Sequence, residues 1–186
     1  MIKIVVKSTK GGSGKSTISL GLACTLGGQA VDLDPQGTLN NAKAMNEKLP
    51  VMAQSEVRGD VPFVVYDTAP YNNEEDVEYM KNADIIVCPL KPSVADLMSF
   101  NTLYLLCKKQ KILHKCIVVF NEVRYPINNT YKEVVDIFGK NYPDIKIAKT
   151  NLRNLLGIRN IFAEQKCAKS LNNFSELAKE LLSYVR

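Results

Sequence analysis

Apolar residues fall into two rhythms along this chain. Short runs rich in β-branched residues stand at 2–6, 30–33, 63–66, 85–88, 117–120 and, more weakly, 145–148. Between them lie helix-like stretches at 15–26, 74–81, 94–109, 131–138 and 171–185. The short runs are mostly continuous rather than alternating, the pattern of strands covered on both faces. Strands of this kind alternating with helices predict an α/β fold: a doubly wound, mostly parallel sheet with helices on both faces. At 186 residues the chain suits one domain, 1–186, large enough to bury a real core. In such a sheet, functional residues belong at the carboxyl ends of the strands.

The last stretch carries Phe174, Leu177, Ala178, Leu181, Leu182 and Val185 at three- and four-residue spacing. A membrane-surface helix shows the same spacing, but here the polar face holds Glu176 and Glu180 beside Lys179, so a core-packing helix is the better reading. No apolar run approaches the roughly 18 residues of a membrane span, and 2–6 is too short for the core of a signal peptide. A cytoplasmic protein with no stable membrane insertion is therefore expected. Cys24, Cys88, Cys107, Cys116 and Cys167 are odd in number and show no C-x-x-C spacing. That argues for reduced thiols and against a disulfide framework or a zinc site. His114 stands alone and reads as a surface or loop histidine.

The net charge of +5 is unevenly placed. Residues 1–99 hold 9 Lys/Arg against 12 Asp/Glu, a net of −3, whereas 100–186 hold 15 against 7, a net of +8. A basic half fits contact with a phosphate backbone without base reading.

Candidate chemistry begins at Lys10-Gly11-Gly12-Ser13-Gly14-Lys15-Ser16-Thr17, directly behind the first apolar run. A strand, a glycine-rich loop and a helix start in this order form a phosphate cradle of backbone N–H groups. Lys15 reaches the β and γ phosphates, the Ser16 hydroxyl suits Mg²⁺, and the helix dipole favours the anion. Two further segments end apolar runs in carboxylates. Asp32-Leu33-Asp34-Pro35-Gln36-Gly37 presents two acids at i and i+2, which on a strand share a face. Phe63-Val64-Val65-Tyr66-Asp67 has the Walker B form, whose acid holds Mg²⁺, usually through water.

The loop departs from the usual pattern. Thr9 stands where the first glycine belongs, and Lys10 precedes Gly-Gly-x-Gly-Lys-Ser. This resembles the deviant Walker A loop of the ParA/MinD ATPases. Asp-x-Asp-Pro-Gln-Gly at 32–37 is similar to switch I of ParA proteins, and Asp67-Thr68-Ala69-Pro70 to the start of their switch II. Pro89-x-x-Pro92-Ser93-x-x-Asp96-Leu97 also looks like a family segment. The resemblance runs from Lys3 to about Ala168. It implies a Mg²⁺-dependent ATPase that turns ATP into ADP and dimerises around the nucleotide. Lys10 then crosses to the partner's ATP, Asp34 orients the attacking water, and Asp32, with Ser16 and Asp67, lies at the metal. Asn121 lies near adenine, with Arg124 at the same edge. Non-specific DNA is the implied partner, through Arg153, Arg159, Lys166 and Lys169, together with a ParB/ParG-like centromere-binding adaptor, and the ATP-bound form associates with the nucleoid. The first strand opens the chain, as in the short ParA type without an N-terminal helix-turn-helix.

Two departures from the family stand out. The stretch between Lys15 and Asp34 is short at 25–29, and the loop at 149–153 lacks the proline common near adenine. A MinD-like membrane-positioning ATPase is the alternative reading. An iron–sulfur carrier on the same loop is a third, and it needs a cysteine pair at a dimer interface.

Overall fold

Along each central strand, alternate side chains enter two separate cores. Ile4, Val6, Val65, Ile85, Val87, Ile117 and Val119 point to one face of the sheet, and Val5, Val64, Tyr66, Ile86, Cys88, Val118 and Phe120 to the other. Both faces are apolar because helices cover both, which is why the strands read as continuous runs rather than as alternation. The computed structural model describes residues 1–71, 73–154 and 172–185.

Seven strands form one parallel sheet: β1 (Ile2–Val6), β2 (Gln29–Asp32), β3 (Val51–Met52), β4 (Phe63–Asp67), β5 (Ile85–Leu90), β6 (Cys116–Phe120) and β7 (Lys146–Ile147). Their order is β3-β2-β4-β1-β5-β6-β7. The described helices are α1 (Lys15–Leu26), α2 (Thr38–Met45), α3 (Glu74–Asn82), α4 (Val94–Lys109), α5 (Asn129–Asn141) and α6 (Asn172–Leu182). Helices α1, α2 and α6 close the first core, through residues such as Ile18, Leu39 and Leu177. Helices α3, α4 and α5 close the second, where Phe100, Phe138 and Tyr142 pack ring on ring with centroids 4.9–5.1 Å apart. The doubly wound fold inferred from the apolar rhythm is therefore observed.

Helix α1 starts and ends on a glycine, and each has its own reason. Gly14 caps the amino end in the left-handed region at φ 94°, where a side chain is strained. Gly27 ends the helix at φ 64°, its N–H returning to the Ala23 carbonyl. Gly28 follows, and a Cβ there would stand 2.5 Å from the Phe63 carbonyl oxygen. The shortened 25–29 segment is thus a two-glycine turn that passes the chain directly into β2.

Helix α6 buries Phe174, Leu177, Ala178 and Leu181 against the first core. The Glu180 carboxylate accepts from the backbone N–H groups of Lys149 and Thr150 at 2.7 and 2.8 Å. This is the core-packing role expected of the last amphipathic stretch. No described helix is long and apolar enough to cross a membrane.

The sequence pattern missed two elements. Helix α2 buries only Leu39 and Ala42, and β3 is a two-residue strand held by pairing with β2. The second strand also ends at Asp32, so Asp34 lies beyond it in the loop. The two acids do not share a strand face, and it is the loop that turns Asp34 back towards the site.

Candidate nucleotide site

The parallel register brings three strand ends into one row. Val6 pairs with Asp67, and Asp67 with Asp32. The loop after β1 therefore emerges beside both acids, at the point where β1 separates connections to the two sides of the sheet.

The loop is held from behind. The Ser8 and Ser13 hydroxyls meet at 2.6 Å, so Ser13 faces inward. The Asn121 side-chain amide, at the end of β6, donates to the Ser13 carbonyl at 2.9 Å, and its oxygen accepts from Glu122 N–H at 2.8 Å. A Cβ on Gly14 would fall 2.1 Å from that amide nitrogen. Asn121 thus spends both polar ends inside the protein as a brace for the loop. The nearby Arg124 is exposed, beside a cleft lined by Pro92, Glu122 and Asn128.

In front of the loop is a cleft of about 240 Å³. Gly11, Gly12, Gly14, Lys15, Ser16 and Thr17 form one wall; Asp34, Gln36, Thr38 and Pro70 form the other. Lys15 is 6% exposed, and its ammonium has only a 3.5 Å contact with the Lys10 carbonyl. Burial lowers its pKa, while Asp67 and Asp34 pull the other way. A buried cation held this loosely suits an anion such as a phosphate group.

The acids divide in use. Asp32 is fully engaged: Oδ1 accepts from Asp34 N–H at 3.1 Å, and Oδ2 from Leu39 and Asn40 N–H at 2.9 and 3.0 Å. It ties the loop to the first turn of α2, whose exposed N–H groups attract a carboxylate. Asp34 accepts from Gln36 N–H at 3.0 Å through Oδ1 and stands at the cleft wall. Asp67 is fully buried, and its Oδ1 accepts from the Ser19 hydroxyl at 3.1 Å. Its Oδ2 is the one buried side-chain nitrogen or oxygen among the described residues with no hydrogen-bond partner. Burial pushes this carboxyl up to about 7, against the pull of the Ser16 and Ser19 hydroxyls.

An orphaned carboxylate oxygen beside Ser16 is the donor set a divalent cation needs, so these residues fit Mg²⁺. Bound there with nucleotide, Mg²⁺ supplies neutralisation of phosphate charge. Ser16 and Asp67 could hold it, with Asp32 adjacent but already spent on backbone. Among the described residues no group of three or more His, Cys, Asp and Glu could hold a metal on its own. Cys88, Cys107 and Cys116 are buried.

Lys10 immediately precedes the cleft-lining glycines; its side chain is 40% exposed, and its ammonium meets Asp96 Oδ2 at 2.5 Å. The Ser93 hydroxyl donates to the same oxygen at 2.6 Å. The Pro-x-x-Pro-Ser segment is therefore the dock for Lys10 within its own chain, which no local signal in the sequence discloses. Arg153 lies exposed with its guanidinium 4.2 Å from the centre of the Tyr125 ring. Arg159, Lys166 and Lys169 fall outside the described residues.

A family model described as the CobQ/CobB/MinD/ParA nucleotide binding domain matches residues 4–181. No curated protein matches the chain. Similar solved structures include a plasmid partition protein of Borrelia burgdorferi bound to AMPPNP, 14% identical, covering 98% of this chain and 97% of that one with a TM-score of 0.71. Apo McdA of Cyanothece is 13% identical, with 100% of both chains covered and a TM-score of 0.76. Cobyrinic acid a,c-diamide synthase of Mycobacterium smegmatis, with ADP and magnesium, is 15% identical, covering 98% and 94% with a TM-score of 0.75. At these identities the likeness to solved structures is one of fold. Matched by the family model over nearly its whole length and built around this loop, the chain belongs to the CobQ/CobB/MinD/ParA nucleotide-binding domain family.

Proposed function

We propose that the chain is a small ParA-type ATPase that dimerises around ATP, binds DNA of any sequence in that state, and positions a plasmid, chromosome or viral genome with a centromere-binding adaptor. The observation that carries this reading is Lys10, a cation at the start of the phosphate loop with a half-exposed side chain. It can leave Asp96 and reach outward to a second nucleotide without disturbing Lys15. In the chemical step, Lys15 and the loop N–H groups balance charge on the phosphates, and Asp34 orients the water for in-line attack. The buried apolar face of α6 favours this reading over a MinD-like one, because the described amphipathic helix is already occupied by the core.

The basic surface then carries DNA. Helices in this fold return towards the amino ends of the strands, so Lys108, Lys109 and Lys111 lie at the opposite end from the cleft. Arg153 follows β7 at the cleft end, and it is the described residue we assign to DNA. The test is a salt series of mobility shifts on two unrelated duplexes, with and without ATP. Binding should require ATP, ignore sequence, and fall with salt at a log–log slope of about −0.9 per phosphate contacted. Arg153→Ala should weaken both duplexes equally and flatten the slope. No shift at about 50 mM salt with ATP present, well below the range where such contacts are screened away, would remove DNA from the reading. ATP-dependent flotation with liposomes in its place would favour the membrane-positioning alternative.

A further inference from the structure

Lys7 is a lysine in a place built for an apolar side chain. It follows Val5 and Val6 out of β1, its N–H bonds the Val87 carbonyl of β5 at 2.9 Å, and it is 0% exposed. Its ammonium donates to the Ala69 carbonyl at 2.9 Å, to the Tyr71 carbonyl at 2.6 Å and to Asp76 Oδ2 at 2.5 Å. All three protons of the ammonium are used.

The partners lie on one connection. Ala69 and Tyr71 flank Pro70, which lines the nucleotide cleft opposite Lys15. Asp76 sits in the first turn of α3, where its N–H is capped by the Asn73 side chain at 2.6 Å. A second tie from the same strand holds the start of this connection: the Thr68 hydroxyl donates to the Val6 carbonyl at 2.8 Å. Charge balance alone needs only Asp76. The two carbonyl contacts do something further, since they fix the backbone on both sides of a cleft-lining residue.

We propose that Lys7 is a positioning residue of the ATPase, an internal cation that clamps the Ala69–Tyr71 connection against the cleft and joins it to the start of α3. In many switch segments the bound phosphate supplies the ordering contacts. Here an internal side chain supplies them, so this connection is set before nucleotide arrives. The inference rests on the ATPase reading for its kinetic consequence and on geometry alone for the ordering.

Two experiments test it. The first needs no substitution. In nucleotide-free protein the bonded amides at the start of α3, those of Asp76 and Val77, should exchange slowly and change little when ATP and Mg²⁺ are added. Fast exchange of these two amides without nucleotide that slows only on ATP addition would overturn the clamp.

The second compares Lys7→Met with Lys7→Met/Asp76→Leu. The single change leaves Asp76 buried and unpaired, which can prevent folding, whereas the double change removes the pair and leaves an apolar site. The double variant should fold, bind a fluorescent ATP analogue with unchanged affinity, and exchange faster at the amides of positions 76 and 77. Its kcat should fall by about tenfold or more with KM unchanged, the signature of lost positioning. Wild-type kcat and wild-type exchange in the folded double variant would make Lys7 a buried counter-ion only. Failure of the wild-type protein to hydrolyse ATP sinks the ATPase reading separately, since the exchange result does not depend on turnover.

Discussion

Burial keeps the Asp67 carboxyl at about 7, far above the ordinary 3.8. The folded protein favours the acid form, so this group's contribution to stability is full below about pH 4 and is lost as pH rises through about 7. Cation binding at Oδ2 needs the carboxylate, and Mg²⁺ therefore binds more tightly as pH rises across the same window. Calorimetry of nucleotide-free protein from about pH 5 to pH 8 should show stabilisation by Mg²⁺ growing with pH, and Asp67→Asn should abolish that growth. Parallel pH profiles for the two proteins would assign the titration to another group. On the proposed reading, substitutions at Lys15 and Asp34 should separate binding from chemistry. Lys15→Ala should weaken ATP by about a hundredfold or more, as expected when a buried charge loses its partner. Asp34→Ala should keep ATP bound and slow a single turnover in rapid quench, and an unchanged rate would take Asp34 out of the mechanism. The place of the 10–17 loop, between β1 and α1 at the wall of a cleft, was legible because a glycine-rich turn of this kind has a fixed spacing. The double use of Asp32 by α2, the brace from Asn121 and the burial of Lys7 were not legible, because each depends on contacts 7 to 108 positions away along the chain.

At the scale of elements, α1 is buried on almost every side, and its contact with α6 is close. A Cβ on Gly21 would stand 2.4–2.7 Å from the Phe174 ring, which is itself fully buried. Alanine favours a helix by about 1 kcal/mol over glycine, but overpacking costs about 1–3 kcal/mol, so Gly21→Ala should lower the urea midpoint. Adding Phe174→Leu should recover much of the loss. A raised midpoint for the single variant would mean that α6 does not dock here. The long elements β1, α1 and α4 could be read from the sequence because each buries a sustained apolar stretch, β1 on both faces of the sheet. Helix α2 has two buried side chains and is anchored by a carboxylate seven residues from its contact, and β3 exists only as a partner of β2. Neither writes a period long enough to read.

For the whole molecule, the central matter is where Lys10 spends its charge. In the single chain it belongs to Asp96. Lys10→Ala should leave ATP binding near normal yet abolish dimerisation with a non-hydrolysable analogue, measured by sedimentation. A variant that still dimerises would reduce Lys10 to a partner of Asp96. Assembly also has a limit set by the sheet itself. Among the described residues both outer strands, β3 and β7, are two residues long, and so short an edge offers too few free backbone groups to recruit another strand. Any dimer of the kind proposed would therefore form through side chains and not by extending the sheet. Contacts of that kind can be loosened by salt, by a single substitution or by the loss of a phosphate, which keeps any assembly reversible on the timescale of its own nucleotide cycle.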